Sequence, residues 1–325
     1  MAVFTPVTED QARELLRDYQ LGDLQSLVGI SAGIENTNYF LDTDHGHFVL
    51  TIFEVLTATQ LPFYVDLMHQ LASRGAPVPM PQTRNNQSLI TELHGKPAII
   101  VTRLSGHWVR QPTIVQCQLA AQTMAQLHHA AAGLKPEQPN LRGFDWWQET
   151  APKLAPYLTQ AQDTLLRQAL EEQTNLRQNG RLDELPVGPA HCDYFRDNVL
   201  FAGTDEQPLM GGVIDFYFAG YDHWLFDVAV AVNDWCIHHV TGELLPEYVT
   251  AWLSAYQSVR PLTKDERQMW PYMLRAAALR FWISRLYDYH VPRPAQTLTP
   301  HDPTHFERIL RLRMTQHHPD IPEIS

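Results

Sequence analysis

Hydrophobic spacing divides this chain into an alternating first third and a helical remainder. An acid-led run from Thr8 to about Tyr19 predicts a helix, with Thr8 as cap and Glu9 and Asp10 in its first turn. Strand-like stretches occupy 24–30, 37–42 and 47–53, with Asp44-His-Gly46 turning the chain between the last two. Leu61, Val65, Met68 and Leu71 share one face of a helix over 60–74. Gly75 stops it, and Pro77, Pro79 and Pro81 prevent its resumption. Residues 89–92 and 97–104 predict two more strands around His94-Gly-Lys96. Beyond Ser105-Gly106 the period lengthens. Helices are expected over 115–129, 160–177 and 245–259. Trp270, Met273, Leu274, Ala277 and Phe281 mark the buried stripe of another, whose aromatic side chains read as core. The expectation is an α+β fold of two lobes, a small antiparallel-sheet lobe over 1–103 and a larger helical lobe over 104–325. Residues 102–106 form the hinge, and a ligand cleft lies between the lobes.

One segment carries the chemistry. His191-Cys-Asp-Tyr-Phe-Arg-Asp-Asn198 puts a carboxylate and an amide on one tight loop, and Val213-Ile-Asp-Phe216 adds a second carboxylate. Residues 198–201 and 210–215 predict a hairpin around a turn-rich Gly203-Thr-Asp-Glu-Gln-Pro208, which would bring Asn198 beside Asp215. Phosphoryl transfer needs a base near the accepting hydroxyl and oxygen ligands for Mg2+. Asp193, Asn198 and Asp215 supply that set.

Composition narrows the partner. Net charge is −12 and no basic run occurs, which excludes nucleic acid and anionic membrane as the main partner and leaves a small molecule. Three widely spaced cysteines, Cys117, Cys192 and Cys236, form neither a disulfide framework nor a metal-ligand pair, so a reduced, cytoplasmic setting is expected. No apolar run is long enough to span a bilayer, and the first residues lack signal-peptide character. His128-His129 and His238-His239 are read as helix-end residues, because neighbours on a helix point about 100° apart and cannot converge on a metal.

Taken in order, Gly29-Ile-Ser-Ala-Gly33, Phe48-Val-Leu50, Pro77-Val-Pro79, Leu104-Ser-Gly106, Leu127-His128, the loop 191–198, Ile214-Asp-Phe216 and Phe226-Asp-Val-Ala229 resemble the aminoglycoside-phosphotransferase and choline-kinase superfamily, relatives of protein kinases. Within it, Phe4-Thr-Pro-Val7, Gly33-Ile-Glu-Asn-Thr-Asn-Tyr-Phe40, Gly46-His-Phe-Val-Leu-Thr51 and Gly95-Lys-Pro-Ala98 resemble the bacterial homoserine kinase branch. The resemblance covers nearly the whole chain. It implies a protein-kinase-like fold that uses ATP and Mg2+ to phosphorylate the side-chain hydroxyl of L-homoserine. It implies Asp193 as the group that takes or orients the hydroxyl proton, His191 as a brace for the loop, Asn198 and Asp215 as metal ligands, and Asp227 as the acid that holds the loop backbone. Residues 31–38 would cover the nucleotide phosphates, with Ser31, Gly33, Asn36 and Asn38 as contacts, and Thr102 and Leu104 would meet the nucleotide at the hinge. Arg142, Arg196, Tyr217 and Asp222 are the candidates for gripping the substrate's charged ends.

The pattern departs from the superfamily at one position. Where a lysine usually stands on the third strand stands Thr51, and no lysine precedes Lys96. A hydroxyl cannot replace a cation, so an arginine or backbone N–H groups must offset phosphate charge, and Asp66 is the nearest acid on the next helix. Alternative acceptors are choline, for which Trp146-Trp147 could supply an aromatic cage, ethanolamine or an aminoglycoside. A catalytically inactive binding module is the alternative from another class.

Overall fold

A computed structural model of the protein describes residues 4–30, 36–291, 301–316 and 319–323. The chain forms two compact units, one reaching to Gly106 and including Leu134–Pro136 and Gly211–Ile214, the other containing the remainder.

The first unit is built on a capped helix and a twisted sheet. Helix α1, Glu9–Leu16, starts where Thr8 and Gln11 cap each other's backbone N–H groups, and it buries Ala12, Leu15 and Leu16. Strands β1 (Leu24–Gly29), β2 (Asn36–Thr43) and β3 (Gly46–Phe53) pair antiparallel in succession. Helix α2, Leu61–Ser73, carries Pro62 in its first turn, where the missing N–H costs nothing. Strands β4 (Thr91–Leu93) and β5 (Lys96–Thr102) complete the order β1-β2-β3-β5-β4. Alternation along β2 buries Tyr39 and Leu41, which join Leu50, Ile52 and Ile100 and the buried face of α1 in one core. Each such side chain contributes about 1.5–3 kcal/mol by leaving water. β4 is shorter and later than its sequence suggests, because Ser88 exchanges hydrogen bonds with the backbone of Ile90 and holds that stretch in a turn.

The second unit is mostly helical. Helices α3 (Ile114–Ala131), α4 (Phe144–Leu154) and α5 (Gln160–Gln178) precede β6 (Val187–Ala190), β7 (Val199–Gly203), β8 (Pro208–Val213) and β9 (Gly220–His223). Helices α6 (Trp224–Trp235), α7 (Pro246–Gln257), α8 (Lys264–His290) and α9 (Thr304–Thr315) come after them. Threonines at 113, 159 and 263 open α3, α5 and α8 with the same reciprocal cap that Thr8 makes. α6 is buried along nearly its whole length, from Leu225 to Trp235. It is the central helix, and two short sheets, β6–β9 and β7–β8, carry the loops at its start. Among the described residues no helix is long and apolar enough to cross a membrane.

Candidate active site

Strand β6 delivers the chain to His191, and α6 fixes the loop beyond it. Asp227, in the first turn of α6 and 1% exposed, accepts the backbone N–H of His191 at 2.9 Å and that of Cys192 at 2.8 Å. Those two bonds hold Cys192 at φ 60, a left-handed conformation that a non-glycine residue adopts only when its surroundings over-determine it. The chain turns sharply there and presents Asp193. His191 Nδ1 accepts the Asp193 N–H at 3.3 Å, so the imidazole braces the loop from within.

Asn198 closes the loop. Its amide nitrogen donates to the Asp193 carbonyl at 2.8 Å and reaches the Asp193 carboxylate at 3.3 Å. This fixes the amide plane and leaves its oxygen to face another partner. Asn198 ends a single 3-10 turn, Arg196–Asn198, one residue before β7, so the strand begins later than the sequence suggests. β8 ends at Val213, and Asp215 stands just beyond it in a left-handed conformation, φ 62 and ψ 61. With only four residues between β7 and β8, Asn198 and Asp215 lie at the same end of the hairpin. Both supply oxygen donors, the kind a hard divalent cation takes.

The loop's support extends far into the unit. His128 on α3 is buried and bridges Asp227, at 3.0 Å from Nε2, and the Tyr256 hydroxyl, at 2.8 Å from Nδ1. Arg260 donates to that hydroxyl at 3.1 Å and to Glu266 at 2.8 Å. Burial pushes the His128 pKa down against the pull of Asp227, so the ring is neutral and donates Nε2–H to the carboxylate. Burial pushes Asp227 up, but the hydrogen bonds from His128 and from the backbone N–H of His191 outweigh it, and the carboxyl lies below its ordinary value. Asp197 goes the other way. Burial and the nearby charges of Asp234 and Asp193 raise it to about 6.

The phosphotransferase enzyme family matches this chain over residues 26–262. The chain belongs to that family. It is 52% identical over 329 residues to the homoserine kinase of Burkholderia cenocepacia (strain HI2424), covering 100% of this chain and 99% of that protein. It is 54% identical over 318 residues to the homoserine kinase of Paraburkholderia phymatum, with 97% and 98% covered. Among solved structures it resembles an amicoumacin kinase in complex with AMP-PNP and Ca2+, at a TM-score of 0.68 and 15% identity, with 95% of this chain and 92% of that one covered. This last likeness establishes the protein-kinase-like fold: a small antiparallel sheet unit and a largely helical one.

The remaining positions expected of a phosphotransferase are more scattered. Ser31 and Gly33 lie outside the described residues. Asn36 begins β2, and Asn38 accepts a 2.8 Å hydrogen bond from Thr51, directly opposite on β3. Thr51, at the place of the usual strand lysine, is therefore used inside the sheet. Thr51→Val should remove that bond at nearly constant volume. It should cost about 1 kcal/mol and lower the melting temperature by about 1–2 °C in a thermal melt. Lys96 on β5 pairs with Glu54 and donates to Thr5 at 2.8 Å. Asp66 lies on the exposed face of α2. Thr102 is engaged with Met80, accepting its N–H at 2.8 Å through the side chain. Leu104 lies 2.5 Å from where a Cβ on Gly212 would stand, and the Pro77 carbonyl lies 2.6 Å away; only glycine fits there, at φ 140.

In the second unit, Arg196 forms a fork on Asp234, with Nε at 2.9 Å and Nη2 at 3.2 Å, and also donates to the Arg110 carbonyl. Arg142 stacks over Trp146 at 4.4 Å. Trp147 is core and donates to the Arg142 carbonyl at 2.6 Å, so the two tryptophans do not form one cage. Tyr217 lies in the short 3-10 turn after Asp215, and Asp222 on β9 accepts from Asn140 at 2.8 Å. Sequence reasoning missed the contacts of two residues. One is His128, read as a helix-end residue and found in the last turn of α3, where it is buried against Asp227. The other is Arg280 on α8, 3% exposed, whose Nη1 lies 3.8 Å from the Asp193 carboxylate.

Proposed function

We propose that this protein transfers the γ-phosphoryl group of ATP to the side-chain hydroxyl of L-homoserine, giving O-phospho-L-homoserine, a step of threonine biosynthesis. The observation that carries the reading is identity above half, along essentially the whole chain, to curated homoserine kinases. The loop geometry supports it. In the reaction, the homoserine hydroxyl oxygen forms a bond to the γ-phosphorus as the bond to the β–γ bridging oxygen breaks, and the hydroxyl proton passes to the Asp193 carboxylate. Asn198 donates to that carboxylate and holds its orientation, and the Arg280 guanidinium lies 3.8 Å from it. Asn198 and Asp215 would hold Mg2+ through an amide and a carboxylate oxygen, and the ion when bound neutralises charge on the nucleotide phosphates. The first unit would hold the nucleotide, with Asn36 and Asn38 at its phosphates and Thr102 and Leu104 near its base. The second would hold the acceptor. The buried thiols of Cys117, Cys192 and Cys236 suit work in the reducing cytoplasm.

The test is turnover of purified protein with ATP, Mg2+ and a panel of acceptors. ATP consumption is expected with homoserine and not with choline, ethanolamine or an aminoglycoside. Equal turnover with choline would reassign the substrate. Nucleotide-dependent thermal stabilisation without turnover on any acceptor would make the protein a binding module.

A further inference from the structure

Arg280 sits in the middle of α8 at 3% exposure, yet its Nε has no hydrogen-bond partner among the described residues. Its nearest acid is Asp193, with Nη1 at 3.8 Å from Oδ1, beyond hydrogen-bond range. The guanidinium carbon lies 3.7 Å above the Phe281 ring and 5.5 Å from the Phe218 ring, the latter in the turn just after Asp215. Burial draws its pKa down to about 10, so the group is a cation at neutral pH. Two more guanidinium groups, Arg142 and Arg285, act on the same charge. A buried cation with an unpartnered N–H is costly unless something supplies the missing hydrogen bond. Phe281 and Phe218 set its orientation, and an anion with two adjacent oxygens matches its fork.

We propose that Arg280 receives the carboxylate of the amino-acid acceptor, and so selects an α-amino acid over a simple amino alcohol. This rests on the functional reading above. Homoserine carries its carboxylate a few bonds from the hydroxyl that must lie at Asp193, so one short substrate spans both groups. Arg196, the arginine of the loop itself, is engaged by Asp234 and cannot serve in its present position. The nucleotide phosphates also carry paired oxygens. They are the alternative occupant, and the test separates the two.

The experiment compares homoserine with 3-aminopropan-1-ol, which is homoserine without its carboxylate, in wild-type protein and in Arg280→Met. The ratio of kcat/KM for the two acceptors should fall about 10²-fold in the variant, mainly through KM for homoserine, while KM for ATP changes little. Equal losses on both acceptors would mean that Arg280 acts through Asp193. A raised KM for ATP in place of a changed ratio would assign it to phosphate. Either result overturns the proposal. If Arg280→Met does not fold, Arg280→Lys, which keeps the charge and removes the fork, should lower the ratio about tenfold, and an unchanged ratio overturns it. Wild-type protein inactive on homoserine would overturn the functional reading together with this inference. Wild-type protein active on homoserine, with the variant's ratio unchanged, would overturn this inference alone.

Discussion

Asp193→Asn should lower kcat about 10²- to 10⁴-fold, the range that a positioned base supplies, while nucleotide still raises the melting temperature. The change keeps shape and removes the proposed proton acceptor. Asn198 can still donate to the residue-193 carbonyl, which is backbone, so the loop retains its 2.8 Å closure. His191 still accepts the residue-193 N–H, and Asp227 still holds the two N–H groups upstream. The loss is confined to a carboxylate held between an amide and a buried arginine. Removing its charge also leaves Arg280 without its nearest counterion and free to bind the acceptor's carboxylate more tightly, so KM for homoserine should stay level or fall. Steady-state kinetics and a thermal melt with and without nucleotide read both effects. A variant within threefold of wild-type kcat would remove Asp193 from proton transfer and leave catalysis to alignment alone.

Local patterning exposed much of this architecture in advance, and where it did not the reasons are physical. The first unit is a half-buried antiparallel sheet, so β2 alternates and its period of two is visible in the residues themselves. α2 and α3 face a core on one side and water on the other, and their stripes predict them. α6 escapes such a reading because it is buried all round, and a helix with no solvent face has no amphipathic period. α9 has its stripe, Phe306, Ile309 and Leu310, but the next position inward is Arg313, which is fully buried and donates to Asn233 at 2.8 Å. A charge in the stripe breaks the pattern, while a polar partner elsewhere in the fold makes it tolerable. The loop residues Asp193 and Asn198 are legible because their spacing is local. Arg280 lies far along the chain among the buried positions of α8, and only the fold brings it to Asp193. The placement of His128 against Asp227, distant in sequence, is likewise a tertiary fact.

The Asp227 network carries the largest expected effect on stability. Asp227→Asn should cost about 1–3 kcal/mol for each buried N–H it leaves unpaired, because a carboxylate that accepts three hydrogen bonds becomes an amide. The carboxylate is 1% exposed and accepts from His191 N and His128 on one oxygen and from Cys192 N on the other. An amide has one acceptor oxygen. Whichever way it lies, its NH2 faces a donor, and at least one buried N–H loses its partner. The effect depends on pH with a definite sign. The Asp227 pKa is lower in the folded protein than in the unfolded chain, so the stability it contributes is present above the ordinary carboxylate range and is lost as pH falls through the folded value. The His128 pKa is also lowered, by burial, so below the ordinary histidine value the unfolded chain binds a proton that the native ring does not, and wild-type stability falls as pH is lowered. Both groups weaken the wild type in acid, but only the first is absent from the variant. The gap between wild type and Asp227→Asn in urea melts should therefore be widest near neutrality and close as pH drops through the folded carboxylate's titration. Because the same carboxylate holds Cys192 at positive φ, activity should collapse along with stability even where the variant remains folded. A constant gap across that range would mean that Asp227 is not ionised in the native protein, and that the loop is held by a neutral carboxylic acid.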